Sequence, residues 1–222
     1  MKRRRALLAW SSGKDAAYAL HALRGRPDIA VVGLLTTMSS ETRCSLLHGA
    51  TEKILDAQAV AARLALNKIW LPAGWTDEVY AVAMADEMRR ARAQRIEVIA
   101  FGDVALEGVK KNREHHLLGT GIEAAFPLWG RDTGELAGEM IEAGIESHVS
   151  CVDARVLDRS FLGRRWDAAL IADLPRGVDP CGENGEFHTC VTAGPMFRQK
   201  LRLVAGRQVE RPPLVYQSYS LR

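Results

Sequence analysis

Ala6-Leu-Leu-Ala-Trp10-Ser11-Ser12-Gly13-Lys14-Asp15-Ala16-Ala17 is the stretch that decides the fold. A short apolar run stops at two serines and a glycine, and residues 14–24 then place Ala17, Leu20 and Leu23 at helical spacing. A strand that turns on small residues straight into an amphipathic helix is the opening of a βα unit. Such a turn exposes backbone N–H groups beside the positive end of the helix dipole, which makes an anion site. The hydroxyls of Ser11 and Ser12 can donate to phosphate oxygens, Lys14 adds positive charge, and Asp15 can hold Mg²⁺. The turn is not a Walker A loop, because the first glycine of that pattern is missing and an aspartate follows the lysine.

Working outward, the same rhythm repeats. Ile29–Thr37 is a β-branched strand, residues 50–66 form an Ala-rich helix, and Lys68–Leu71 is a short strand closed by Pro72. Thr76 caps a helix running to about Arg95, with Asp77 and Glu78 in its first turn, where the dipole favours anions. Ile96–Phe101 is a fourth strand, 107–118 a helix, Thr133 to about Ala143 another, and Ile145–Val152 a fifth strand. Five strand–helix alternations predict an α/β fold with a doubly wound, five-stranded parallel sheet, whose ligands sit outside the carboxyl ends of the strands. The rhythm fails after about residue 175, where prolines and glycines crowd the chain. The expected organisation is an α/β domain over 1–175 and a substrate loop with a small β-rich element over 176–222. Leu201–Val204 and Gln208–Glu210 read there as a hairpin turning on Ala205-Gly206-Arg207.

The composition of the 222 residues, 47% hydrophobic and 26% charged, is that of a globular chain and excludes a disordered one. No apolar run approaches the roughly 18 residues of a membrane span. The basic start, Lys2-Arg-Arg-Arg5, is followed by an apolar run too short for a secretory signal, so the expectation is a cytoplasmic protein without membrane partners. Cys44, Cys151, Cys181 and Cys190 form no C-x-x-C pair, and free thiols are expected. The net charge of +3 conceals basic ends, with +4 over residues 2–5 and +5 over 196–222. Such ends are compatible with RNA contact, but no aromatic residues interleave the N-terminal cluster, so a solvated edge is the favoured reading. A homodimer is left open.

Two further segments carry chemistry. Gly102-Asp103 ends the fourth strand, so its carboxylate faces the same rim as Asp15, and a Mg²⁺ shared by the two is geometrically reasonable. Asp179-Pro-Cys-Gly-Glu183-Asn-Gly-Glu186-Phe-His188-Thr189 gathers carboxylates and an imidazole on a glycine-loosened loop. Glu183 and Glu186 are candidates for binding a metal, for taking a proton from an attacking amine, or for gripping a polar substrate, with His188 sharing the proton-accepting role if its pKa stays near neutral. The spacing of Cys181, His188 and Cys190 fits no zinc module. Gly119-Thr-Gly121-Ile-Glu-Ala124 matches a dinucleotide fingerprint by letter, but it follows a helix rather than a strand.

The strand–turn–helix at 6–24 resembles the PP-loop of the N-type ATP pyrophosphatases, usually S-G-G-x-D-S, with Ser12 in place of a glycine and Ala16 in place of the last serine. Cys181-Gly-Glu-Asn-Gly-Glu-Phe-His-Thr189 is similar to the C-G-E-G-G-E-[FY]-E-T motif of the diphthine–ammonia ligase family, which also carries a PP-loop. Leu47-His48-Gly49, Gln58, Phe101-Gly102-Asp103, Arg113-Glu114 and Pro127-Leu128-Trp129 agree in order, so the resemblance runs from about residue 6 to about 197. It implies ATP and Mg²⁺ as cofactors, with nucleotide contacts from Ser11, Ser12, Gly13, Lys14, Asp15, Thr36, Gly102 and Asp103. The second substrate is then met by His48, Arg113, Gly182, Asn184 and Thr189, and catalysis falls to Lys14, Asp15, Glu183, Glu186 and His188. The implied reaction is AMP-forming amide synthesis, in which a carboxylate is adenylated, pyrophosphate leaves, and ammonia or an amine attacks. His188 stands where the family has Glu, and Asn184 where it has Gly, so the departures fall at the substrate end. A PP-loop enzyme acting on tRNA, or a nucleotide-binding protein without turnover, are the alternatives.

Overall fold

The computed structural model describes residues 2–222. Its first layer is a parallel sheet of β1 (Arg4–Ala9), β2 (Ile29–Ser39), β3 (Ala65–Leu71), β4 (Val98–Ala100) and β5 (Glu123–Ala125) in the order β3-β2-β1-β4-β5. The helices α1 (Lys14–Arg24), α2 (Glu52–Ala62), α3 (Asp77–Ala93) and α4 (Glu107–Leu117) connect these strands. Strand β1 is central, hydrogen-bonded to both β2 and β4, which is why its run is apolar on both faces. Ala6, Leu8 and Trp10 point to one side and join Leu20 and Leu23 of α1 and Leu55 and Ala59 of α2. Leu7 points to the other and joins Met84 and Met88 of α3 and Ile99 of β4. The period-two alternation of one strand thus seeds two cores, one on each face of the sheet.

The second layer contains α5 (Thr133–Glu142), β6 (Glu146–Asp153), a 3-10 turn at Arg159–Phe161, β7 (Arg165–Trp166), α6 (Ala168–Asp173), β8 (Phe187–Ala193), β9 (Leu203–Arg211) and β10 (Leu214–Leu221). Here β6 is the hub. Strand β8 pairs antiparallel along one edge, and β7 and β10 share the other. Trp166, Val149, Phe187 and Val191 pack into the same core as Leu8 and Leu20, so this sheet covers the α1–α2 face of the first.

The five-stranded parallel sheet is present as expected, but its fifth strand is Glu123–Ala125 rather than Ile145–Val152. The latter segment is β6, and the β-rich element therefore begins well before residue 176. Periodicity alone does not distinguish a buried parallel strand from a buried antiparallel hub. The hairpin expected at Ala205-Gly206-Arg207 is also displaced. Strand β9 runs straight through those residues, and the reversal comes at Pro212-Pro213. Gly206 is there because a Cβ at that position would sit 2.6 Å from Ser218 Oγ, opposite a register shift between Gln217 and Tyr219. The Gly119–Ala124 stretch is the turn leading from α4 into β5, so it precedes a strand and binds no dinucleotide in the Rossmann manner.

One buried side chain ties the layers together. Gln58 on α2, with no exposed surface, accepts at Oε1 from Trp10 Nε1 (2.8 Å) and donates through Nε2 to the carbonyls of Ser12 (3.2 Å) and Val191 (2.9 Å). Replacing it with leucine strands the indole N–H and the Val191 carbonyl away from water. Gln58→Leu is expected to lower unfolding stability by roughly 2–3 kcal/mol, the scale of buried polar groups left unpaired, as read by urea denaturation.

Candidate functional site

A cavity of about 470 Å³ opens at the carboxyl ends of β1, β2 and β4. Between β1 and β4 the strand order reverses, so this is the switch-point crevice where open α/β sheets bind ligands. One end is an apolar slot made by Leu35, Ile69, Met84 and Phe101. The floor is the 11–16 turn, and the far wall is the segment that enters β8.

The turn is built for an anion at the start of α1. Gly13 is the N-cap and provides no side-chain cap hydrogen bond; Thr189 Oγ1 takes the Lys14 N–H, which leaves those of Asp15 and Ala16 for another acceptor. A Cβ at Gly13 would lie 3.1 Å from the His48 ring. Gly102 is equally constrained, since a Cβ there would meet Asp15 C and Ala16 N at 3.0 Å. The end of β4 can approach the turn only as glycine. Ser11 lines the cavity, and its Oγ accepts from Gly13 N at 3.3 Å. Thr36 lines it from the end of β2.

Ser12 departs from the expected phosphate contact. It is fully buried, does not line the cavity, and its hydroxyl has no hydrogen-bond partner. Its backbone has φ of 81°, the left-handed region that costs an L-residue energy, which is the physical reason the PP-loop pattern has glycine there.

Lys14 also differs from expectation. Its ammonium is 1% exposed and spends its three protons on both Asp15 oxygens (3.0 Å each) and the Cys181 carbonyl, lying over the rings of Trp166 (5.2 Å) and Phe187 (5.6 Å). Burial alone would lower its pKa, but the Asp15 carboxylate bonded to it outweighs this and raises it, so it stays protonated. Lys14 thus lines the cavity as a charge held in place by Asp15 and the Cys181 carbonyl. Asp15 is a quarter exposed and lines the cavity.

The 179–186 segment, expected to be flexible, is a cross-braced turn. Glu186 is buried and accepts from Asp179 N (3.1 Å), Asn184 N (3.0 Å) and Asn184 Nδ2 (3.0 Å), while Asp179 Oδ1 accepts from Cys181 N (2.8 Å) and Glu183 N (3.2 Å). Glu186 does not line the cavity. Its lone pairs are used within the turn, so the catalytic role expected for it is replaced by a structural one. Gly182, Glu183 and Asn184 do line the cavity. Glu183 reaches across the crevice, and its Oε1 accepts from Val104 N (2.9 Å) and Ala105 N (3.0 Å). Burial raises its pKa, against the pull of those two N–H groups. Thr189 Oγ1 accepts from Lys14 N at 3.1 Å, locking β8 to the start of α1.

His48 and His188 face each other in the cavity wall, ring centroids 4.3 Å apart. Burial holds His48 well below the usual imidazole value and His188 at about 4, with Lys14 adding to both. Both are neutral at pH 7, so the proton-accepting role that required His188 to titrate near neutrality is not met. Asp103 and Arg113 line the cavity beside Phe101. Burial raises the Asp103 pKa, partly offset by Arg113. Among the described residues no group of three or more His, Cys, Asp or Glu side chains gathers into a metal cluster. The sequence reading missed the apolar slot and the N–H pair at Val104–Ala105. The first is made of ordinary core residues, and the second of backbone.

The profile of the diphthamide synthase N-terminal domain matches residues 4–122, and that of the C-terminal domain residues 132–212. The chain belongs to the diphthamide synthase family. It is 26% identical over 119 residues to diphthine–ammonia ligase of Schizosaccharomyces pombe, covering 52% of this chain and 20% of that protein. It is 27% identical over 113 residues to the human and rat diphthine–ammonia ligases, covering 49% of this chain and 42% of each. The chain thus spans less than half the length of these relatives. No helix among the described residues is long and apolar enough to cross a membrane.

Two outcomes follow from the geometry. Ser12→Gly is expected to stabilise the fold by about 1 kcal/mol through relief of the left-handed backbone, measured as a shift in the urea midpoint. His188 is depressed from 6.5 to about 4, so the folded state binds fewer protons than the unfolded state between those values. Its contribution is complete above about pH 6.5 and is lost as pH falls toward 4. His188→Gln should flatten the acid limb of stability over that window in denaturation curves taken at stepped pH.

Proposed function

We propose that the protein is an ATP-dependent amide ligase that forms AMP and pyrophosphate. The observation that carries the reading is the anion-binding turn at the switch point, braced by the buried Lys14–Asp15 pair, which opens into one cavity with the Glu183–Thr189 wall. Adenine fits the apolar slot at Leu35, Met84 and Phe101, and the phosphates fit the N–H groups at the start of α1. The substrate's carboxylate then lies between that turn and the β8 wall. Its oxygen attacks the α-phosphorus, the bond to the bridging oxygen breaks, and pyrophosphate departs. An amine, or ammonia, next attacks the acyl carbon, AMP leaves with the carboxylate oxygen it acquired, and one proton passes from nitrogen to a base.

Within this reading Glu183 is the remaining candidate base, because Glu186 is tied up and His188 is too weakly basic. Asp15 would hold a Mg²⁺ accompanying the nucleotide through the carboxylate lone pairs not given to Lys14, since its side chain is a quarter exposed to the cavity and such an ion needs only one or two protein ligands. When bound, the ion would offset charge on the departing pyrophosphate. Of the alternatives, a PP-loop enzyme acting on tRNA would, if it thiolated its substrate, need a reactive thiol, and burial pushes three of the four, Cys151, Cys181 and Cys190, up to about 12.

The test is product analysis. Incubation of the protein with ATP, Mg²⁺, ammonium and a panel of small carboxylic acids, followed by ion-exchange chromatography, is expected to give AMP and pyrophosphate in equal amounts. ADP as the main nucleotide product excludes adenylation. Asp15→Asn should lower turnover by roughly 10²-fold or more, the scale of losing one preorganised electrostatic group, here the carboxylate that would hold the Mg²⁺.

A further inference from the structure

We propose that Asp103 and Arg113 form a clamp for a ribose hydroxyl of the nucleotide, and that Asp103 is not a magnesium ligand. The inference rests on the ATP reading above and assigns a part of the cavity which that reading leaves unexplained. Asp103 Oδ2 and Arg113 Nε face each other at 3.5 Å, too far for a good hydrogen bond. Both atoms are buried and neither has a hydrogen-bond partner. A buried charged pair left with an unused acceptor and an unused donor is costly, and in native proteins such atoms mark a place where something else completes the set.

The chemistry of the gap selects the ligand. A cation at Oδ2 would lie against the Arg113 guanidinium, and an anion at Nε would lie against the Asp103 carboxylate. A hydroxyl does both jobs at once, donating to Oδ2 and accepting from Nε–H. The position of the pair along the chain selects the sugar. Phe101, two residues before Asp103, lines the apolar slot, and the Arg113 guanidinium lies 5.2 Å over its ring. Gly102, one residue before, abuts Asp15 and Ala16 of the phosphate turn. Arg113 thus stands at the base slot and Asp103 adjoins the glycine packed on the phosphate turn, so the pair bridges the two, where a nucleotide has its ribose. Glu183, by accepting from Val104 N and Ala105 N, fixes the loop that carries Asp103 and is a positioning residue for the clamp.

The experiment is calorimetric titration with ATP, 2′-deoxy-ATP and 3′-deoxy-ATP, each with and without Mg²⁺. The unaltered protein should bind one of the deoxy analogues about tenfold or more weakly than ATP, the scale of a hydrogen bond to a charged group. Asp103→Asn and Arg113→Met should lose a similar factor for ATP and little for that analogue, so the discrimination disappears. The gain in ATP affinity on adding Mg²⁺ should be the same in Asp103→Asn as in the parent. Equal affinities for all three nucleotides in the parent overturn the clamp and leave the ATP reading standing. Loss of the Mg²⁺ gain in Asp103→Asn also overturns it, by making Asp103 a metal ligand. Failure of the parent to bind ATP at all overturns the ATP reading together with the clamp. The comparison among nucleotides uses the unaltered chain, so it decides for or against the clamp whether or not the variants fold.

Discussion

The carbonyl of Ser12 accepts two hydrogen bonds, from Val191 N at 2.9 Å and from Gln58 Nε2 at 3.2 Å, and the site depends on that double anchor. To present the carbonyl this way the residue adopts a left-handed backbone, and the chain then turns so that Gly13 caps α1. Val191 lies on β8 and Gln58 on α2, so one peptide group joins the first strand–helix unit, its neighbouring helix and the second sheet. A glycine would hold the same turn with less strain. The serine persists because four elements meet around it and over-determine its conformation.

Around that anchor the electrostatics are arranged to hold charge still. A lysine ammonium with 1% exposure would deprotonate if left alone. Here two carboxylate hydrogen bonds, a carbonyl and two aromatic faces keep it charged. Buried ion pairs of this kind are weak evidence for stability, because desolvation offsets most of the attraction. What they supply is a fixed direction. Lys14 Nζ sets the orientation of Asp15, and Thr189 Oγ1 sets the position of the Lys14 amide. The polar end of the cavity is thereby organised before any ligand arrives.

The first half of the fold was legible because its apolar runs and helical stripes are long. The β1–α1 turn, β2, α3 and its Thr76 cap stand close to where the sequence places them. Strand β5 was invisible, since three residues of Glu-Ala-Ala carry no periodicity and owe their strand to β4 alongside. Strand β6 was visible as a strand but not as a member of another sheet, because a partner 35 or more residues away leaves no local trace. At the site, residue types were legible and orientations were not. Ser12 and Glu186 look like ligand-contacting groups by type, yet neither lines the cavity, and Lys14, which does, has its ammonium held by Asp15 and the Cys181 carbonyl. Only the packing of β8 against the turn determines that.

The 179–186 turn shows how composition misleads about rigidity. Two glycines and several polar residues in eight positions suggest a loop that moves. In the fold Gly182 and Gly185 take positive φ angles of 68° and 87° and let the chain fold tightly on itself, so that Asp179 and Glu186 each receive backbone N–H groups. The glycines are therefore a means to fixed geometry rather than to motion. That distinction matters for catalysis, because a group held within a fraction of an ångström of its working position removes orientational entropy from the barrier, while a loose one leaves it. Glu183 is carried on this brace and clamped at its tip by Val104 N and Ala105 N through a single oxygen. Its second oxygen accepts no hydrogen bond within the protein, so one carboxylate both closes the crevice between the two sheets and presents a fixed acceptor to it.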